Sequence, residues 1–270
     1  MDKLQRNERI AVLVKMLTDS PGKIFTLGHF TEIFGSAKST ISEDIEIIEN
    51  ILNRYELGTI ETIAGASGGV RLVPLPSNNR QTQVVSSLCR DLSLKERILP
   101  GGYLYMLDII FNPEKVAEIG QIFAAQFFSK GIDYVITVET KGIPLAFMTA
   151  KLLNVPLVIV RHYSEVTDGA SVNINYISGS SKKNQTMVLS LKALKRNSKL
   201  LFIDDFMKGG GTAKGIVDLA REFDCKVVGF GVMIETVEPE KKLVEDYFSL
   251  LTLAGVDEEN GVINITPRLV

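Results

Sequence analysis

Asp204 and Asp205 stand between four apolar residues and three glycines in the stretch LLFIDDFMKGGGT, Leu200 to Thr212. Two adjacent carboxylates are good acceptors for neutral donors and poor company for an anion. The glycines ask for the opposite partner. Glycine lets the main chain approach a ligand closely, and free N–H groups at the start of a helix, aided by its dipole, favour phosphate. One ligand satisfies both halves: a ribose 5-phosphate, with vicinal hydroxyls on the aspartates and phosphate on the glycine loop. Other phosphate motifs do not fit. Lys214 is followed by Gly215, so there is no G-x-x-x-x-G-K-[ST], and no G-x-G-x-x-G follows the first strand. The bland alternative is a strand-to-helix turn with a glycine cap.

Such a ligand binds beyond the carboxyl ends of parallel strands, so the surrounding sequence must supply a sheet. DYVITV (133–138) and PLVIV (156–160) are short β-rich runs, with the helical GIPLAFMTAKLL between them. LLFI (200–203) leads into the helical TAKGIVDLAREF and then KVVGFGVMI (226–234). Apolar strands alternating with helices predict an α/β domain whose parallel sheet is covered on both faces. On this reading the aspartates come directly after the LLFI strand.

The first 74 residues follow a different pattern. ERIAVLVKML places Ile10, Leu13, Val14 and Leu17 on one helix face. Pro21 and Gly22 break the chain. Thr26 can cap a short helix with Leu27, Phe30 and either Ile33 or Phe34 inward, ended by Gly35. Ser36 can cap a third helix carrying Ile41, Ile45, Ile48 and Leu52 on one stripe. After Gly58 the period becomes two, as TIETI and VRLVP flank AGASGG, which reads as a hairpin. Three helices and a hairpin are the order of a winged helix-turn-helix, whose third helix enters the major groove. Ser36, Lys38, Ser39 and Thr40 would approach the bases there, and Arg71 on the hairpin could reach a phosphate. A small helical domain serving dimerisation alone is the other reading. Charge gives it weight: residues 1–74 hold 8 Lys and Arg against 10 Asp and Glu, and the third helix carries Glu43 and Asp44, whereas nucleic-acid binders usually show a basic footprint.

PLPSNNR, Pro74 to Arg80, reads as a linker, dividing the chain into 1–74 and 75–270. Composition excludes several classes. The chain has 270 residues, 23% charged and 45% hydrophobic, with a net charge of −2. No run of about 18 apolar residues is present, so no membrane partner is expected. Two cysteines, Cys89 and Cys225, are too few for a disulfide framework, and two histidines, His29 and His162, argue against a histidine-rich metal centre. A reducing, cytoplasmic setting is the default expectation.

LLFIDDFMKGGGT resembles the phosphoribosyl pyrophosphate signature of type I phosphoribosyltransferases: four apolar residues, two acids, a short variable stretch, then Gly-Gly-Thr. The resemblance implies that Asp204 and Asp205 bind the ribose 2- and 3-hydroxyls and that Lys208, Gly209, Gly210, Gly211 and Thr212 hold the 5-phosphate. It identifies VETKGIPLA with the family's pyrophosphate loop, putting Thr140, Lys141 and Gly142 on the diphosphate; Lys141 on its own reads more often as a solvated lysine, and its place at a strand end beside Gly142 brings the two readings level. SVNINYISGSSKKNQTMVL corresponds to the closing loop, with Lys182 and Lys183 as anion contacts, or else to an exposed hairpin. Mg²⁺ is expected to bridge diphosphate and hydroxyls, because it prefers phosphate oxygens and water to an all-protein cage; no protein metal site is expected. Purine-salvage enzymes of the hypoxanthine–guanine type carry an aspartate base three residues after the acidic pair. Here Lys208 stands in that place and cannot serve as a carboxylate base.

Taken whole, the chain is similar to the purine operon regulators of Gram-positive bacteria, through ERILPGGYLYMLDII, TKGIPLA, INYISGSS, the acidic-glycine stretch and YFSLLTL. That family joins a winged helix to a phosphoribosyltransferase-like domain that senses phosphoribosyl pyrophosphate without catalysis. The resemblance implies a homodimer on double-stranded operator DNA and places Tyr103 near the effector. It leaves the sign of regulation open. The rival expectation is a catalytic purine phosphoribosyltransferase with an accessory N-terminal domain.

Overall fold

The computed structural model describes residues 4–65, 68–166, 169–177 and 184–268. The chain divides into two compact units, Met1–Asn78 with Lys151–Asn154 and Asn79–Ala150 with Val155–Val270.

The first unit contains α1 (Arg6–Asp19), α2 (Leu27–Phe34) and α3 (Lys38–Arg54), followed by β1 (Thr59–Ile63) and β2 (Gly69–Val73), an antiparallel pair with Thr59 opposite Val73. Leu13, Leu17, Phe30, Phe34, Ile41, Ile45, Ile48 and Leu52 pack with Ile60, Val70 and Leu72 into one core. Each such side chain contributes roughly 1.5–3 kcal/mol on burial. The expected caps of α2 are present: Thr26 Oγ1 accepts from the His29 amide, and Gly35 closes the helix in the left-handed region at φ 60°. Phe34 faces inward and Ile33 outward.

Two expectations need correction here. Ser36 does not cap α3. Ala37 occupies the N-cap without a side-chain bond, while Ser36 is buried and donates to the Phe34 carbonyl at 3.4 Å. On α1 the expected stripe holds, since Ile10 and Val14 are partly buried and pack against the core that contains Leu13 and Leu17, and the polar Arg9 is buried as well. The supposed linker is shorter than Pro74 to Arg80, because α4 (Asn78–Leu92) begins inside it. Asparagine is a favoured helix-initiating residue, and the polar NNR run serves as a first turn.

In the second unit, α4 is followed by the small antiparallel pair β3 (Ile98–Leu99) and β4 (Tyr103–Leu104), then α5 (Leu107–Ile110) and α6 (Pro113–Phe127). α6 starts with Pro at its first position, and Asn112 Oδ1 accepts from the amides of Glu114 and Lys115. The remaining elements are β5 (Tyr134–Val138), α7 (Ile143–Leu153), β6 (Leu157–Val160), the hairpin β7 (Ser171–Ile177) and β8 (Asn184–Ser190), β9 (Lys199–Met207), α8 (Gly211–Glu222), β10 (Lys226–Thr236), β11 (Tyr247–Asp257) and β12 (Val262–Pro267).

Six of these strands form one sheet in the order β12-β11-β10-β9-β5-β6. All neighbours are parallel except β11 and β12. The expected parallel α/β sheet is therefore present, with an antiparallel strand at one edge. The chain passes from β5 outward to β6 on one side, then returns to β9 on the other side of β5. The strand order thus reverses between β5 and β9. In open α/β sheets that reversal opens a crevice outside the carboxyl ends of the two strands, and ligands bind there.

Candidate functional site

The reversal point brings together a loop and a strand end that lie 62 residues apart in sequence, from Gly142 to Asp204. Glu139 to Gly142 leave the end of β5, and Asp204 and Asp205 lie near the end of β9. The strand does not stop before the acids, as LLFI alone predicted. It runs from Lys199 to Met207, because Phe206 and Met207 still pair with Ile234 and Glu235 of β10. The acids are therefore held by a sheet ladder rather than by a loop.

Gly142 fixes the distance between its loop and the acidic end of β9. A Cβ at this position would lie 2.5 Å from Thr137 Oγ1 and 2.7 Å from Asp204 Oδ1, so no side chain fits. Thr137 is fully buried, and its hydroxyl has no hydrogen-bond partner among the described residues. A buried, unpartnered hydroxyl costs about 1–3 kcal/mol, and this one lies against the backbone of the same loop. Asp204 Oδ1 accepts from the Asp205 amide at 2.9 Å. Asp205 is buried, 8% exposed, while Asp204 stays partly accessible. Burial pushes the Asp204 carboxyl well above the ordinary aspartate range, and the charge of Asp205 adds to the shift. Burial also raises Asp205, opposed by its hydrogen bond with Asp204 and by the Lys141 ammonium. The pair thus holds its negative charge reluctantly, and donors arriving from a ligand would relieve it.

The glycine loop is braced from behind. The Leu243 amide donates to the Gly209 carbonyl at 3.0 Å, while the single proton of the Thr236 hydroxyl goes to the Glu238 carbonyl at 2.6 Å, with the Lys208 carbonyl farther off at 3.3 Å. Gly210 takes φ 78° as the N-cap of α8, 3.2 Å from the Leu243 amide if it carried a Cβ. With the Gly209 carbonyl engaged, the first amides of α8, which begins at Gly211, are the groups this loop could offer an anion. Lys208 is exposed, Thr212 partly so. Sequence reasoning missed the bracing segment between β10 and β11, since its contacts are made by backbone. It also missed Tyr176 on β7, whose phenol is buried beside Thr212 and Asp204.

Thr140 and Lys141 are exposed at the mouth of the crevice. Tyr103 sits apart on the β3–β4 hairpin, 70% exposed, and no hydrogen bond joins it to the acidic pair or the glycine loop among the described residues. Lys182 and Lys183 lie outside the described residues. A separate cavity of about 450 Å³, lined by Phe127, Lys130, Tyr247, Ser249 and Arg268 among others, shares no residue with this crevice.

In the first unit, Lys38 and Ser39 are exposed at the start of α3 and Thr40 is half-buried. Ser36 leaves the set, its side chain being turned inward. Arg71 is held across the hairpin by Glu61 at 2.7 Å, its register partner. The objection from Glu43 and Asp44 weakens. Asp44 is fully buried, bound by Arg9 Nε at 2.8 Å and Arg6 Nε at 3.2 Å, and Glu43 pairs with Arg6 at 3.4 Å. Neither carboxylate is an unbalanced charge on the helix surface.

Comparison with known proteins assigns both units. Residues 5–74 match the family described as bacterial purine repressor, N-terminal, and residues 107–265 match the phosphoribosyl transferase domain. The chain is 43% identical to the purine biosynthesis transcriptional repressor of Bacillus subtilis, over 97% of this chain and 92% of that protein. It is 38% identical to the purine biosynthesis transcriptional activator of Lactococcus lactis, over 97% of each. Among solved structures, adenine phosphoribosyltransferase of Saccharomyces cerevisiae superposes with a TM-score of 0.54 at 18% identity, over 62% of this chain and 98% of that one; at that identity the likeness shows the fold alone. The chain belongs to the family of bacterial purine biosynthesis transcriptional regulators, with a purine-repressor N-terminal domain and a phosphoribosyltransferase domain.

Proposed function

We propose that this protein is a DNA-binding regulator of purine biosynthesis genes whose second domain senses phosphoribosyl pyrophosphate. The observation that carries the reading is similarity to purine regulators along 97% of the chain, across both domains. One relative is named a repressor and another an activator, so family membership leaves the sign open. In this reading residues 1–74 bind operator DNA as part of a homodimer, through Lys38, Ser39 and Thr40, in a bacterial cytoplasm. Residues 75–270 hold the effector.

The crevice supports the effector assignment. Ribose hydroxyls donate to Asp204 and Asp205, the 5-phosphate rests on the amides of Gly209 to Thr212 beside Lys208, and the diphosphate meets Thr140, Lys141 and Gly142. Magnesium fits as part of the ligand rather than as a resident ion. The acidic pair offers oxygens toward the same crevice, and Mg²⁺ prefers phosphate oxygens and water to an all-protein cage. When bound, the ion would neutralise diphosphate charge. Sensing without turnover is favoured by Lys208, a fixed cation where the salvage enzymes place a carboxylate base.

An effector changes operator affinity only through a difference in its affinity for the DNA-competent and incompetent states. Gel-shift titrations with phosphoribosyl pyrophosphate at several salt concentrations test the whole reading. The expected result is a saturable change in affinity for fragments upstream of purine genes. Unchanged affinity at every concentration would remove the sensing role. Release of pyrophosphate with adenine, guanine, hypoxanthine or xanthine would restore the catalytic alternative.

A further inference from the structure

The β7–β8 hairpin has a polar contact that the site described above does not use. Tyr176 and Gln185 are register partners on its two strands, and the Tyr176 hydroxyl donates to Gln185 Oε1 at 2.7 Å. The ring is buried rather than lying on the hairpin surface. It rests on α8, where a Cβ at Gly215 would come within 3.2 Å of Tyr176 Cβ and 3.1 Å of Met187 Sδ. Gly215 and Thr212 are three residues apart and share a helix face. The hairpin therefore covers the face of α8 that carries Thr212, one turn before Gly215, and Thr212 is among the groups that act on the Tyr176 phenol.

We propose that Tyr176 is a positioning residue that links Thr212 of the phosphate loop to the β7–β8 hairpin, so that an anion bound at the start of α8 alters the hairpin's own hydrogen bonding. The inference rests on reading Thr212 as a phosphate contact. A phenol has one proton and two lone pairs. With its proton given to Gln185, Tyr176 can only accept from Thr212. A phosphate oxygen beside Thr212 takes that hydroxyl's proton as a hydrogen bond instead. Thr212 Oγ1 then becomes an open acceptor and competes with Gln185 for the Tyr176 proton. No covalent bond changes; one hydroxyl turns and the cross-hairpin bond is contested. Burial pushes the phenol up, Asp204 acts in the same direction and Thr212 opposes it, so the proton the relay needs is present at neutral pH.

The test is amide hydrogen exchange in residues 171–177 and 184–190 of the full chain, with and without ligand. Two probes are used: phosphoribosyl pyrophosphate with Mg²⁺, and inorganic phosphate alone. In the native chain, saturation should change hairpin exchange. In Tyr176→Phe the ring packing remains, the affinity should fall by no more than about tenfold, the range of one hydrogen bond, and the hairpin should cease to respond. Gln185→Leu removes the other partner and should give the same loss. A hairpin response that persists in both variants overturns the relay, as does a native chain that binds either probe without any hairpin response. A response to inorganic phosphate with no binding of phosphoribosyl pyrophosphate would support the relay and remove the effector assignment. A merely structural role would alter hairpin exchange in the variants without ligand and leave the ligand-induced change intact, which also counts against the relay.

Discussion

Among the described residues, two places bury aspartate, and they treat it in opposite ways. In the first unit Asp44 is fully enclosed and bound by the guanidinium groups of Arg9 and Arg6. In the second unit Asp204 and Asp205 lie side by side: burial raises both, the charge of Asp205 raises Asp204 further, and the hydrogen bond with Asp204 and the exposed Lys141 ammonium only partly offset the shift of Asp205. Burying an ion is costly unless it is paired. A carboxylate whose counter-ion comes from its own unit serves the fold. A carboxylate left short of donors at a strand end is arranged for a ligand. Glu235 belongs with the first kind. Burial pushes it up, but hydrogen bonds from Tyr247 and Ser249 and the Arg268 cation outweigh burial and hold it below the ordinary range.

The largest expected effect comes from breaking the matched pair. Asp44→Ala leaves Arg9 buried without its partner, and removing one member of such a pair costs about 3–5 kcal/mol. Thermal denaturation should show the first unit melting early, gel shifts should show operator binding lost, and calorimetry should show effector binding kept. A small change in melting temperature would dissolve the contrast between the two sites. Replacing both residues at once, as Arg9→Met with Asp44→Leu, should recover most of the stability.

Glu235→Gln should cost less, on the order of 2 kcal/mol, the range for hydrogen bonds to a charged group. Its pH dependence has a definite sign. The folded-state value is depressed, so the stability it supplies is present above the ordinary glutamate value and lost as pH falls through the lowered one. The gap in melting temperature between native and variant should therefore narrow on acidification through that window.

For the unmatched pair the stability effect should reverse. Asp204→Asn removes a charge that burial disfavours, and should raise stability at neutral pH by about 1 kcal/mol. Its folded value is raised, so the destabilisation it causes is present above that raised value and disappears as pH falls toward ordinary carboxylate values. The variant's advantage should shrink on acidification. Effector affinity moves the other way, falling at least tenfold in calorimetry, since each lost charge-assisted bond is worth roughly 1.5–3 kcal/mol. A variant that is less stable and binds the effector equally well would place Asp204 among the structural acids.

The same contrast sets what could be read from the sequence. The acidic-glycine stretch was legible because strand, acids, glycines and helix are contiguous, so local spacing carries the geometry. The helical stripe of Ile41, Ile45, Ile48 and Leu52 was legible for the same reason. Asp44 was misread as surface charge because its partners lie 35 and 38 residues away on α1, and no pattern on α3 announces them. Thr137, Leu243 and Tyr176 escaped notice on similar grounds. Each reaches the crevice through tertiary packing, from a residue type that is common in strands or loops. Ser36 failed as a cap because capping preference is weaker than the inward turn that the chain makes between Phe34 and Lys38.

The smallest effect tests whether the first unit's surface charge, now that Asp44 is withdrawn from it, faces nucleic acid. Lys38 is exposed at the amino end of α3, where sequence places the base-proximal residues. If it contacts a phosphate, Lys38→Ala weakens operator binding by a similar factor on every sequence and lowers the slope of log affinity against log salt by about 0.9. If it reads a base, the loss concentrates on one operator position and the slope stays nearly constant. Fold stability should be untouched in both cases, because an exposed lysine in a first turn makes no core contact. An unchanged slope together with an unchanged operator preference would separate α3 from the DNA, and would return the first unit to the dimerisation reading that its acidic balance once favoured.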